Sequence, residues 1–487
     1  MDAQFGEWSK TLDALRAINA GWSKDFDLPA EYLSNLFDQF GNEDMLLVVE
    51  DMLAHLDAYV CDNPLLFSSP DFHEVVRDVL HEYFEGLEFS PDLDMEADAL
   101  CCFCESLYFR YVNPPRQCEG TFIRKPPNVA VIDAKLARIR AKPQPDQRTS
   151  EWYRFRHDLI TASNAWKAFE SPACRNQLIY EKCKPVTVHA EKEYVNTASP
   201  MHWGHKYEPV TRMIYEHLYN TRVADFGCLQ HDVHPFLGAS PDGINVDPAS
   251  QRYGRMLEIK NIVNRDITGI PKKEYWIQMQ LQMETADLNE CDFFETQFSE
   301  EGDEGCNNEA GNNEAGNNEG CNTALMTGTM IYFMKDGRPH YEYAPIGCNC
   351  NSSELEAWFD QAMERNQAHT WMKTIHWRLE KMSCVLVLRN KTWFQHAIKA
   401  MDELWQTILQ ERSNPDGYEH RGPKRKSPSA QPLHALLLNP SNTNVNERKC
   451  RIDVANLEME TEDKDEKDAT HHPSDLKLNL SSQLKQN

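Results

Sequence analysis

A chain of 487 residues is longer than one hydrophobic core usually serves, so two folded units with tails are expected. Its 41% hydrophobic and 10% aromatic content excludes a wholly disordered chain, and its formal net charge of −26 excludes a uniformly basic one. The charge is uneven: residues 1–100 hold 23 Asp and Glu against 4 Lys and Arg, whereas residues 121–150 hold 7 Lys and Arg against 2 Asp. A polyanion meets local charge, so the overall balance does not argue against one as a partner.

No membrane span is expected. The start, Met1-Asp2-Ala3-Gln4, has neither a basic nor an apolar region of the kind a signal peptide needs, so an intracellular location is expected. Fifteen cysteines, an odd number scattered through the chain, read as free thiols of a reducing compartment.

Taken in chain order, three stretches repeat apolar residues at the spacing of one buried helix face: Leu33–Phe40, Val49–Val60 and Phe72–Tyr83. They predict an acidic all-α domain over residues 1–113, closed by Asn113-Pro114-Pro115. Residues 114–147, with six prolines around a short basic helix from Lys135 to Lys142, read as a linker. Helices are expected over Glu151–Phe169, Gly204–Leu218 and Lys272–Ala286, with extended runs at Val223–Gln230, Arg255–Val263, Asp292–Phe298, Leu325–Phe333 and His340–Tyr343. Such an order predicts an α/β domain over 148–412, a mixed central sheet flanked by helices.

Residues 300–322, rich in Asn, Gly and Glu, read as a disordered insertion. Helices are expected around Ser352–Glu380 and Thr392–Arg412, with a buried strand at Cys384–Leu388 between them. Residues 413–487 read as a disordered tail, in which Pro423–Pro428 carries a basic cluster of the nuclear-import type.

The chemistry concentrates in two short motifs. Gly238-Ala-Ser-Pro-Asp242-Gly243 is followed by Leu257-Glu258-Ile259-Lys260, whose alternation on a strand puts Glu258 and Lys260 on one face and Leu257 and Ile259 on the other. Asp242, Glu258 and the Ile259 carbonyl would make the hard-oxygen environment that Mg²⁺ or Mn²⁺ prefers, and Lys260 could orient a water or stabilise developing charge. Glu208, on a helix, could add a carboxylate. Gln278 and Gln282, four residues apart, share a helix face from which a Gln could hold the water. Histidines 202, 205, 217, 231 and 234 lack the paired spacing of a zinc site.

Trp152-x3-Arg156, Ile160-Thr161-Ala162-Ser163, Gly204-x3-Glu208, Ser240-Pro241-Asp242-Gly243, Glu258-x-Lys260 and Gln278-x-Gln280 together resemble the YqaJ/lambda-type exonuclease family. The wording is most similar to the YqaJ viral recombinases of nucleocytoplasmic large DNA viruses, over roughly residues 147–300. The resemblance implies a PD-(D/E)XK, restriction-endonuclease-like core and an Mg²⁺-dependent 5′-to-3′ exonuclease on double-stranded DNA ends, with a single-strand annealing protein as partner. It implies metal ligation by Glu208, Asp242, Glu258 and Ile259, catalysis by Asp242, Glu258, Lys260 and Gln278, and a 5′-phosphate pocket of Arg156, Thr161, Ser163 and Ser240.

The acidic domain, the insertion and the tail depart from the compact phage pattern and leave homo-oligomerisation open, as the sequence leaves open a nuclear or a cytoplasmic viral replication site. A structure- or site-specific endonuclease on the same core, and a catalytically silent DNA-binding scaffold, are the alternatives. The acidic balance of residues 1–113 further suggests competition with DNA, in which case their deletion should raise activity at low salt.

Overall fold

The computed structural model describes residues 43–86, 97–118, 127–145, 149–186, 195–301, 326–347, 353–414 and 417–422. The expected helix at Leu33–Phe40, the basic cluster at 423–428 and the tail beyond it lie outside these residues.

Helix α1 (Glu43–Asp62) buries Val49, Met52, Leu53, Leu56 and Val60, and α2 (Phe72–Glu85) buries Phe72, Val76, Val79 and Leu80, the faces their spacing predicts. A further helix, α3 (Ala97–Leu107), was not expected; it packs with α1 and α2 through Leu100, Phe103, Cys104 and Leu107. Its last turn widens into a π-turn at Tyr108–Val112, directly before Asn113-Pro114-Pro115.

The segment read as a linker is packed where it is described. Arg116 is fully buried, and the Cys118 amide donates to the Leu386 carbonyl at 2.7 Å. Helix α4 (Val129–Ala141) begins six residues before the expected basic helix. Asn128 caps it by accepting from the Val131 amide, and Leu136 and Ile139 are buried, an apolar face obscured in sequence by the surrounding Lys and Arg.

The stretch expected as one helix over Glu151–Phe169 breaks. Helix α5 (Ser150–His157), capped by Thr149, ends at Asp158, and β1 (Ile160–Thr161) pairs in parallel with Leu237 and Gly238 before a short helix α6 (Ala162–Ala165). The β-branched pair Ile160-Thr161 suits a strand better than a helix interior. Helix α7 (Pro172–Cys183) follows, then α8 (Pro200–Tyr219), capped by Ser199 and ended by Asn220 in the left-handed region at φ 43°.

A three-stranded sheet joins β1 to β4 (Leu237–Ala239) and β3 (Leu229–Gln230). The main sheet has the order β2-β5-β6-β7-β10-β8-β9, formed by Val223–Ala224, Gly243–Asn245, Met256–Ile262, Glu290–Glu301, Thr370–Leu388, Thr327–Lys335 and Arg338–Tyr343 respectively. Among the described strands of this sheet, only β6 and β7 pair in parallel, and helix α9 (Lys273–Ala286) makes the crossover between them, as parallel neighbours require. On one face, Tyr207, Val210 and Ile214 of α8 pack against Leu257, Ile259 and Phe294; on the other, Trp276, Ile277 and Met279 of α9 join Met256 and Phe293. The fold is mixed α/β, with helices on both faces of a mixed sheet, as the sequence predicts.

Three boundaries differ from expectation. The helix expected over Ser352–Glu380 is α10 (Ser353–Arg365) only, and Thr370–Leu388 is a single long strand whose Ile375, Trp377 and Leu379 alternate inward. Strand β7 runs to Glu301, so Glu300 belongs to the sheet rather than the insertion and accepts from Lys206 and, at 3.0 Å, from the Tyr207 hydroxyl. Helix α11 (Lys391–Ser413) is followed by residues 417–422 that fold back, with Arg421 donating to Asn176 at 2.6 Å and Tyr418 against Tyr180. Among the described residues no helix is long and apolar enough to cross a membrane.

Candidate active site

The short strand β5 sets the site. It pairs with β6 only through Gly243 opposite Leu257 and Ile244 opposite Met256, so the β6 edge lacks a strand partner from Ile259 onward. Asp242, one residue before β5, takes that place: its Oδ2 accepts the Ile259 amide at 2.7 Å. In a strand the amide and carbonyl of one residue point to the same side, so the Ile259 carbonyl faces the Asp242 side. Gly243 is required by close packing, because a Cβ there would lie 2.1 Å from Val223 Cγ1 on β2. Arg212 of α8 holds the Asp242 carbonyl at 2.9 Å and pairs with Asp225 at 2.6 Å.

Glu258 and Lys260 share the face of β6 that α9 covers. Glu258 is fully buried, yet four hydrogen-bond donors or charges surround its carboxylate: Lys260 Nζ and Gln278 Nε2 (2.8 Å) on Oε1, and Gln282 Nε2 (2.7 Å) on Oε2, with Asp242 alongside. Gln282 also reaches the Ser240 carbonyl at 3.3 Å, which links the helix to the Asp242 turn. The two glutamines lie one helical turn apart, so a single face of α9 presents both.

Burial and repulsion from Glu258 push the Asp242 carboxyl well above the usual carboxylate range; Lys260 pulls it back, and Glu208 adds repulsion. Burial works against the Lys260 ammonium, but Glu258 and Asp242 outweigh it and hold its pKa above the ordinary lysine value. Two carboxylates that repel each other, beside a backbone carbonyl, are a donor set suited to a hard divalent ion that keeps several waters. Among the described residues, no three His, Cys, Asp or Glu side chains stand close enough to hold an ion by themselves. Asp242 and Glu258 face each other, and Glu208 adds its repulsion to Asp242.

The proposed phosphate-binding residues form a second group. Arg156 lies with its guanidinium 4.5 Å from the Trp152 ring centre. The buried Cys228 thiol stands against both Arg156 and Ser240; burial raises its pKa and these two neighbours oppose the rise. Thr161 Oγ1 and Ser163 Oγ are 3.3 Å apart, and Thr161 is in register with Gly238, two residues before Ser240. The parallel pair β1–β4 thus brings Thr161 and Ser163 to the strand end that leads into Ser240, and Cys228 stands between Ser240 and Arg156.

Sequence reasoning missed three groups beside these. Lys182 is buried and donates to the Arg156 carbonyl at 2.8 Å; burial, with Arg156 nearby, lowers its pKa to about 8. Its place on the apolar face with Leu178 and Ile179 was the available signal. Arg212 lies four residues after Glu208 and so shares its helix face. Arg265, paired with buried Glu295, shares the Tyr275 ring with Lys260, at 5.8 and 4.8 Å. Of the histidines, His231 is buried and accepts from the amides of Val233 (3.1 Å) and His234 (3.0 Å), a structural role.

Residues 151–289 match the YqaJ-like viral recombinase domain family. Uncharacterized protein R354 of Acanthamoeba polyphaga mimivirus is 26% identical over 316 residues, which cover 58% of this chain and 56% of that protein; the match thus spans little more than half of the relative's length. Among solved structures, the alkaline exonuclease LHK-Exo of Laribacter hongkongensis aligns at 19% identity with a TM-score of 0.32, covering 54% of this chain and 95% of that one. Its complex with dAMP aligns at 17% identity with a TM-score of 0.31 over the same shares. The segment matched by the YqaJ-like viral recombinase domain model is the one that carries Glu208, Asp242, Glu258, Lys260 and Gln278.

Proposed function

We propose that the protein is a divalent-metal-dependent DNA nuclease, and specifically an exonuclease that works 5′ to 3′ from double-stranded ends in viral recombination, repair or replication. The observation that carries this reading is the convergence of Asp242, Glu258 and Lys260 across the β5–β6 step, with Asp242 bonded to the Ile259 amide and Lys260 to Glu258.

Mg²⁺ or Mn²⁺, held by Asp242, Glu258 and the Ile259 carbonyl with Glu208 further out, would supply Lewis acidity and lower the pKa of a bound water. Lys260 places its ammonium next to the reacting phosphate, where it holds the water and stabilises charge developing on the phosphoryl oxygens. Gln278 and Gln282 fix the Glu258 carboxylate in place. Arg156, with Thr161, Ser163 and Ser240, receives the 5′-phosphate, since a guanidinium grips phosphate with two parallel bonds.

Digestion of linear duplex DNA labelled separately at its 5′ and 3′ ends, beside a closed circle of the same sequence, tests the reading. Release of 5′ label from the linear form alone, with Mg²⁺ present, is expected. Cutting of the circle would favour an endonuclease, and no cutting of either a silent scaffold.

A further inference from the structure

Arg116 is fully buried and lies just past the prolines that close the N-terminal helices, yet among the described residues its guanidinium donates to neutral acceptors alone. Its Nη2 donates to the carbonyls of Ser68 (3.3 Å) and Pro271, and its Nη1 to Gln117 Oε1 (3.2 Å). Its amide donates to His73 Nε2 at 3.1 Å, and its carbonyl accepts from Trp276 Nε1 at 2.8 Å. Burial pushes the guanidinium down to about 9, against the pull of Asp71 and Glu274. Enclosing a cation among neutral acceptors is expensive, so the residue is an odd choice for mere filler.

The partners divide into two sets. Ser68 and His73 belong to the N-terminal helices, whereas Pro271 ends the loop that follows β6 and carries Arg265, and Trp276 lies in the first turn of α9. Two residues beyond Trp276 is Gln278, and a turn further is Gln282, both bonded to Glu258. Trp276 and Gln278 sit about 200° apart around the helix, so one fixes α9 against Arg116 while the other faces the site.

We infer that Arg116 is a positioning residue, through which the N-terminal helices set α9 and hence the Gln278 and Gln282 bonds to Glu258. The helices at 43–112 are on this account a working part of the nuclease, not a detachable competitor for DNA. The inference rests on the proposed nuclease reading for its kinetic arm only.

The test compares full-length Arg116→Lys and Arg116→Met with the unaltered protein. Hydrogen exchange over residues 273–286 should quicken in both, more in Arg116→Met, while exchange in β7 and β10 stays as it was. With duplex DNA and Mg²⁺, kcat should fall on the order of tenfold at nearly constant KM, because the reacting groups are displaced rather than the DNA contacts. In a Gln278→Ala background the same substitutions should add little, as expected for groups acting through one another. Unchanged exchange in α9, or losses that multiply fully with Gln278→Ala, would overturn the inference. If the unaltered protein cuts no DNA, the nuclease reading fails, and the exchange arm still decides the coupling. If Arg116→Met does not fold, Arg116→Lys, which keeps the charge and loses the fork, decides alone.

Discussion

Asp242 stands in for a missing strand: its carboxylate takes the Ile259 amide at 2.7 Å, just before β5 begins, where β6 runs on past it. The same bond that terminates the ladder fixes one acid of the site beside the strand that carries the other acid and the amine. On the proposed reading, structure and chemistry depend there on one side chain.

Removal of the Lys260 charge should therefore cost stability as well as activity. Glu258 is fully buried, and Lys260 is its only cationic hydrogen-bond donor among the described contacts. Lys260→Met should lower unfolding free energy by about 3 kcal/mol, the scale for breaking one half of a buried pair. Adding Glu258→Gln should return much of it, since the stranded charge is then gone. Denaturant melts of the two single variants and the double variant give the comparison.

The close approach of Gly243 to Val223 gives a packing prediction. A methyl group there meets Val223 Cγ1 at 2.1 Å, so Gly243→Ala should destabilise by about 1–3 kcal/mol. Trimming the neighbour as well, in Gly243→Ala with Val223→Ala, should restore part of the loss. Failure of the second change to help would place the strain in the backbone instead.

Acid should weaken the fold through two buried histidines. Burial, aided by Arg116 and Arg77, lowers His73 from 6.5 to about 4; burial, aided by His234, does the same for His231. Both accept backbone amides and so are held neutral. Their contribution is complete above pH 6.5 and is lost as pH falls from there toward 4, because the unfolded chain takes up protons first. Melting temperature should drop across that window, and the drop should be shallower in His231→Asn.

Recognition of the DNA end should depend on Arg156. Arg156→Ala should cut kcat/KM for 5′-phosphorylated ends by about tenfold to a hundredfold, the worth of one charged hydrogen-bonded contact, and change little for 5′-hydroxyl ends. Equal losses on both substrates would assign Arg156 to general backbone binding. Ser240→Ala should show the same pattern more weakly.

Much of the site was legible because its geometry is local. Alternation along β6 placed Glu258 with Lys260 and sent Leu257 and Ile259 to the opposite core, and helical spacing aligned Gln278 with Gln282. What stayed hidden depends on long-range packing. Nothing in Asn113-Pro114-Pro115-Arg116 announces that a guanidinium will be buried against Pro271 and Trp276, some 155 and 160 residues away in sequence. The break at Ile160-Thr161 likewise comes from pairing with Leu237 and Gly238, and the length of β10 from its two long partners, β7 and β8.

The most direct measurement is the rate of label release from 5′-labelled linear duplex DNA in Mg²⁺, for the unaltered protein and for Asp242→Asn, with circular dichroism to confirm that both are folded. The account predicts release by the unaltered protein, its loss in EDTA, and a fall of a hundredfold or more in the folded variant, the order seen when a charge-stabilising group is removed. Equal release by a folded Asp242→Asn protein would contradict it.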